Sequence, residues 1–143
     1  MCSCVLIALL NLAIVPFSQK PDIQSFAQII GPKVVFFEPG ERERDSLALI
    51  EGLELADELD DFDYYTGKAS VYLNGLKIPV VYVTNPVILV RIGEHTVRRF
   101  ERNAIPEPVG MILTDGVQEP RLVPGIGTDE ELIAEIKRFF HLK

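Results

Sequence analysis

Apolar and polar positions divide this chain into short blocks punctuated by proline and glycine. The first block, Val5 to Val15, is apolar except for Asn11. Pro16 and Pro21 break the chain after it, and Asp22 is placed to cap a short helix through Ile30 that Gly31-Pro32 ends. Lys33-Val-Val-Phe-Phe37 then has the length and the β-branched and aromatic content of a buried strand. From Glu41 to about Phe62 the period changes: Leu49, Ile50, Leu53, Ala56 and Leu59 recur three and four apart, which predicts a helix with an acidic outer face.

The middle of the chain returns to strand patterns. Ser70 to Leu73, Asn74-Gly75 and Leu76 to Val83 have the form of a β-hairpin, because Asn-Gly supplies the positive φ angles of a two-residue turn. Pro79 makes its second arm an edge or bulged strand. Val87 to Ile92 reads as a further strand, and Glu94 to about Asn103 as a short helix carrying Arg98, Arg99 and Arg102. Pro108 to Gly116 gives a strand running into a tight turn, and a second strand ends near Pro124-Gly125. Thr128 and Glu131 have capping-box spacing, and Leu132, Ile133, Ile136, Phe139 and Phe140 lie on one face of the helix after them.

With 143 residues, 48% of them hydrophobic, the chain can form one domain with a substantial core. A net charge of −7 argues against nonspecific nucleic-acid binding, which depends on many lysine and arginine contacts to phosphates, and favours basic or neutral partners. The two cysteines, Cys2 and Cys4, are too close in sequence to staple distant parts of a secreted fold, so a cytoplasmic location is the expectation. The Val5 to Val15 block raises the possibility of a signal peptide or anchor. It falls short of the roughly 20 residues of a membrane span, however, and no basic residue precedes Lys20. A buried or interface-forming segment is the favoured reading, with no membrane span.

The order strand, helix, strand, helix, strand, strand, helix resembles the thioredoxin fold, with one unit of the archaeal protein disulfide oxidoreductases as a similar case. The resemblance covers roughly residues 22–63 and 87–141. Pro108 and Gly116 match the spacing between that family's cis-proline and a turn glycine, and Gly125 with Leu132 matches the return into the last helix. The implied architecture is a thioredoxin-like three-layer α/β sandwich, its central mixed sheet flanked by helices. Residues 1–21 form an apolar extension, and residues 64–86 a hairpin that is either an insertion or the source of the family's second strand.

The family's Cys-x-x-Cys is absent. The positions that would hold it fall in Glu41-Arg42-Glu43-Arg44, and without a thiolate there the family's redox chemistry does not carry over. Two guanidinium groups at a helix start, facing the Pro108 loop, can grip a carboxylate or peptide, although alternating charges in a first helical turn more often form a solvated cap. The expected function is therefore a thioredoxin-like binding or assembly module, with no cofactor and no metal site. It would act with a protein partner or by self-association, through the apolar first block and the hairpin. The competing reading is a thiol-disulfide oxidoreductase that uses Cys2 and Cys4 as a displaced redox pair. The acidic run from Glu51 to Asp63 lacks the turn glycine and bidentate glutamate of a calcium loop, and Gly125-Ile-Gly127 leads into acids where a phosphate would sit.

Overall fold

The computed structural model describes residues 26–40, 43–46, 49, 53–125 and 127–143. The chain enters on β1 (Phe26–Ile29) and turns at Gly31 into β2 (Lys33–Phe37). After a helical turn at residues 43–46 it forms α1 (Leu53–Gly75) and then β3 (Val80–Val83). Next come the hairpin β4 (Val87–Ile92) and β5 (Thr96–Glu101) and a 3-10 turn at Arg102–Ala104. The chain ends with β6 (Gly110–Thr114), β7 (Arg121–Pro124) and α2 (Asp129–Phe140).

Two mixed sheets result among the described residues. The larger has the order β3-β2-β6-β7, with β2 parallel to β3 and antiparallel to β6, and β6 antiparallel to β7. The smaller has the order β1-β4-β5, parallel then antiparallel. The parallel β2–β3 pair needs a crossover, and α1 supplies it.

Alternation along β2 and β6 sends their side chains into two separate cores. Val34, Phe36, Met111 and Leu113 face the helices and pack with Leu59, Phe62, Ala69 and Leu73 of α1 and Leu132, Ile136 and Phe139 of α2. Val35, Phe37 and Ile112 face the other way, onto Ile29, Ile88 and Val90 of the smaller sheet. Burial on both faces explains why β2 and β6 are apolar at nearly every position. The larger sheet thus lies between a helical layer and a second sheet, which corrects the expectation of a single central sheet flanked by helices.

Three local expectations are also corrected. The hairpin expected in residues 64–86 does not form: its first arm is the end of α1. The buried positions Leu59, Phe62, Thr66, Ala69 and Leu73 are spaced three and four apart, so one helical stripe runs past Phe62. Asn74-Gly75 then closes the helix rather than a hairpin. The Ile78 amide donates to the Leu73 carbonyl at 3.2 Å and the Lys77 amide to the Asn74 carbonyl at 3.2 Å, with Lys77 at φ 58°. This is a Schellman end, with Leu73 in the core on the helical side of the sheet and Ile78 packed against that core. Buried Thr66 fits mid-helix because its hydroxyl donates to the Phe62 carbonyl at 2.7 Å.

The helix expected from Asp22 to Ile30 is instead β1 over its described part, because Phe26 to Ile29 pairs with Val87 to Val90. The helix expected from Glu94 to Asn103 is β5, joined to β4 across Gly93, Glu94 and His95. Gly93 has φ 63°, and its amide donates to the Gly116 carbonyl at 2.7 Å, which fixes that turn against the β6–β7 turn.

The capping box and the β6–β7 turn of the last third form as the sequence predicts. Thr128 accepts from the Glu131 amide at 3.3 Å and Glu131 Oε2 accepts from the Thr128 amide at 3.0 Å, which completes the capping box of α2. In the β6–β7 turn, Asp115 accepts from the amides of Val117 and Gln118, each at 2.8 Å, and from Gln118 Nε2 at 2.8 Å. Partial burial pushes the Asp115 carboxyl up, but these donors outweigh it and hold it below the usual aspartate range. A depressed folded value means that the stabilisation is complete above the unfolded value and disappears as pH falls through the folded one. Asp115→Asn should therefore cost about 1 kcal/mol at neutral pH, and the gap to the wild type should begin to narrow as pH falls below about 4. Urea unfolding at a series of pH values measures this; a gap that widens in acid would refute the assignment.

Candidate functional site

Strand register brings four chain segments to one edge of the larger sheet. Phe37 at the end of β2 pairs with Val83 at the end of β3 and with Gly110 at the start of β6, and Gly110 pairs with Pro124 at the end of β7. The described residues beyond these, 38–40 with 43–44, 84–86, 102–109, and 125 with 127, meet at this edge. Backbone bonds join them: the Glu38 amide to the Val83 carbonyl at 3.0 Å, the Arg102 amide to the Pro86 carbonyl at 3.0 Å, and the Gly125 amide to the Val109 carbonyl at 2.8 Å.

Charged side chains tie the same segments together. Arg44, in the turn at residues 43–46, directs its guanidinium fork at Asp63 of α1, with Nη2 to Oδ1 at 3.1 Å and Nη1 to Oδ2 at 3.3 Å. Nη2 also donates to Glu38, beyond the end of β2. The hydrogen bond to Asp63 and the charges of both acids raise the Arg44 pKa, against a smaller effect of burial. Neighbouring Glu43 takes a different partner, Arg102 Nη2, at 3.5 Å.

Arg102 is buried, unlike Arg98 and Arg99. Its Nη1 donates to the Thr84 carbonyl at 2.6 Å, and its Nε has no hydrogen-bond partner among the described residues. A single side chain thus links the β3–β4 connection, the end of β5 and the turn at residues 43–46. Arg98 and Arg99 stay on the surface of β5, paired with Glu119 at 2.6 Å and Glu101 at 2.8 Å.

Of the residues singled out from the sequence, Glu43, Arg44 and Pro108 belong to this edge. Pro108 is half-buried two residues before β6, and no cis peptide bond occurs among the described residues, so the expectation of a cis-proline there is corrected to trans. Glu41 and Arg42, and the pair Cys2 and Cys4, lie outside the described residues. The structure adds Glu38, Asp63 and Arg102. Arg102 cannot be separated from its neighbours in sequence, because the pattern around it predicts a helix. Asp63 is one of many acids on α1, and only the fold sets it opposite Arg44.

In chemical terms this edge is a set of loops cross-linked by ion pairs. A carboxylate ligand would have to displace Glu38 and Asp63 from Arg44, or Glu43 from Arg102. Among the described residues no group of three or more His, Cys, Asp or Glu side chains is placed to hold a metal ion. Likewise, no described helix is long and apolar enough to cross a membrane. No family model, curated protein or solved structure matches the chain.

Proposed function

We propose that this chain is a thioredoxin-like binding or assembly module that carries out no thiol–disulfide exchange. The connectivity β2–α1–β3 and then β6–β7–α2, with the strand order β3-β2-β6-β7, supports the thioredoxin-like reading. In this reading the smaller sheet stands where the family has its second-face helix. The functional half rests on the segment after β2. There a thioredoxin exposes a thiolate at a helix start, whereas this chain has Arg44 held between Glu38 and Asp63.

The binding surface we assign is the end of α1 together with β3. Among the described residues β3 is an edge strand paired on one side only, by β2, and Val71, Leu76 and Tyr82 are exposed around it. The Ser70 and Tyr82 hydroxyls, 3.0 Å apart, hold helix and strand side by side. An unpaired edge beside apolar side chains suits a second strand, from a protein partner or from another copy of the chain.

The test is the redox state of Cys2 and Cys4, read by alkylation and mass spectrometry across a series of glutathione buffers, alongside a Cys2→Ser, Cys4→Ser double variant. Thiols that remain unlinked, and a variant with unchanged fold and sedimentation, are the expected results. A reversible two-electron transition near the glutathione potential would overturn the proposal in favour of a displaced oxidoreductase.

A further inference from the structure

The hydrogen bonds of β3 fix which groups its outer edge presents. The Val34 amide donates to the Pro79 carbonyl and the Glu38 amide to the Val83 carbonyl, each at 3.0 Å. A parallel ladder turns alternate residues inward, so the Pro79 carbonyl and the N–H and C=O groups of Val81 and Val83 are directed at β2. The N–H and C=O groups of Val80 and Tyr82 then point the other way, to the side where no strand lies among the described residues. Their side chains are on the helical face: Val80 packs against the core there, and Tyr82 against Phe36 and Ser70. Ser70, Val71, Asn74, Ile78, Pro79 and Val80 line an open hollow beside this edge, with Val71 76% and Tyr82 48% exposed.

We infer that the occupant of this edge is a second copy of the chain, with β3 paired antiparallel to the partner's β3 about a two-fold axis at Val81. This rests on the binding surface assigned above and names what binds there. With Val81 on the axis, Val80 lies opposite Tyr82 of the partner subunit, and Tyr82 opposite the partner's Val80. Each of these pairs exchanges both backbone hydrogen bonds, so that the outward groups of Val80 and Tyr82 are all used. The same register sets the partner's Tyr82 beside Val80, at the mouth of the hollow.

Charge favours this approach over others. A net charge of −7 makes two copies repel, and association is easiest where acids are missing. None of the chain's 21 acids lies between Asp63 and Glu94, so the last turns of α1 and all of β3 are free of them. An axis perpendicular to the sheet also runs the two α1 helices antiparallel. The exposed acids Asp60 and Asp63 of one copy then lie toward the end of the other copy's α1, where the partner's Lys77 is, and not toward like charges. One strand edge and part of one helix make a contact small beside the about 800 Å² per partner of a standard interface. The dimer is therefore expected to be weak, with a micromolar dissociation constant.

Sedimentation velocity of the full chain from about 1 μM to about 1 mM tests it. A monomer–dimer equilibrium in the micromolar range is the expected result. Val80→Pro removes one outward N–H and no bond to β2, a change that an edge strand tolerates. Val71→Glu places a carboxylate on the acid-free part of α1 and serves should the first variant fail to fold. Either should weaken dimerisation about ten-fold or more, with circular dichroism unchanged. Hydrogen exchange gives a second readout: the Val80 and Tyr82 amides should exchange fast in the dilute monomer and slowly in the dimer, while the Val81 amide stays protected in both. A chain that is monomeric throughout, with those two amides open, would overturn the second copy as occupant. It would leave the binding-module reading standing, because that reading falls on the redox behaviour of Cys2 and Cys4. Protection of the two amides at every dilution would also overturn the inference, with a segment of the same chain as the cover. So would a dimer that neither variant weakens, since its contact would lie elsewhere.

Discussion

Phe36→Ala should remove about 3 to 5 kcal/mol of stability, a large fraction of the 5 to 15 kcal/mol typical of a domain this size. Phe36 is fully buried in the middle of β2, between β3 and β6. Its ring meets Phe62 of α1 edge-on, with centroids 6.1 Å apart, and lies 5.4 Å from Tyr82 of β3. Truncation would therefore open a cavity where the helical layer meets the sheet, and both aromatic contacts would be lost. The loss includes an aromatic contribution of about 0.5 to 1.5 kcal/mol that a Leu replacement would also forfeit. Urea unfolding should show a markedly lower midpoint at an unchanged slope. Phe26→Ala, on the outer face of the smaller sheet, should cost far less. Similar losses at the two positions would mean that the core is not centred on β2.

The second large effect is expected at the candidate site. Gly110 begins β6 opposite Phe37, and a Cβ there would lie 2.5 Å from Phe37 Cζ and 2.6 Å from the Val123 carbonyl oxygen. Neither neighbour can yield easily: the Phe37 ring is fully buried, and the Val123 backbone is held by its pairing with Met111. Alanine reduces unfolded-state freedom, which favours folding by about 0.4 to 1 kcal/mol. The clash should exceed that and leave a net loss of about 2 to 3 kcal/mol. Gly67→Ala is the matched control, since its added methyl meets nothing within 4 Å and it sits in the body of α1. That change should stabilise by about 0.5 to 1 kcal/mol, so equilibrium unfolding should show opposite signs for the two glycines. Equal signs would remove steric closeness as the reason for glycine at the sheet edge. Because Gly110 sets the start of β6, the damage should also reach the loops that carry Arg44 and Arg102.

Where a single element contains its own reasons, the sequence is legible. The capping box at Thr128 and Glu131, the apolar stripe of α2 and the doubly buried strand β2 all form as their patterns predict, because each is set by periodicity or by bonds within a few residues. The failures share one cause. The segment 70–75 has strand-like composition and a hairpin dipeptide, but Ala69 and Leu73 extend the stripe of α1, and packing against β2 and α2 holds the helix to its Schellman end. Residues 96–101 have the pattern of a helix carrying arginines, yet pairing with β4 makes them a strand. Phe26 to Ile29 needs β4, some sixty residues away, to become a strand at all. Such long-range pairing leaves no local trace.

The candidate site divides in the same way. The absence of a thiol after β2, the acidic face of α1 and the arginines of residues 98–102 are written in the chain. Which arginine is buried, and which acid faces it, is settled only when separate segments meet at one sheet edge. Arg44 against Asp63 and Arg102 against Thr84 are contacts between residues nineteen and eighteen positions apart. By itself, then, the sequence determined the α/β class, the central strand and the last helix, because local periodicity and capping are enough to specify them. The tertiary structure alone decided that one face of the larger sheet is covered by a second sheet, that α1 runs to Gly75, and that the charged edge is closed by ion pairs. Each of those depends on register and burial between distant segments, which no short stretch of sequence encodes.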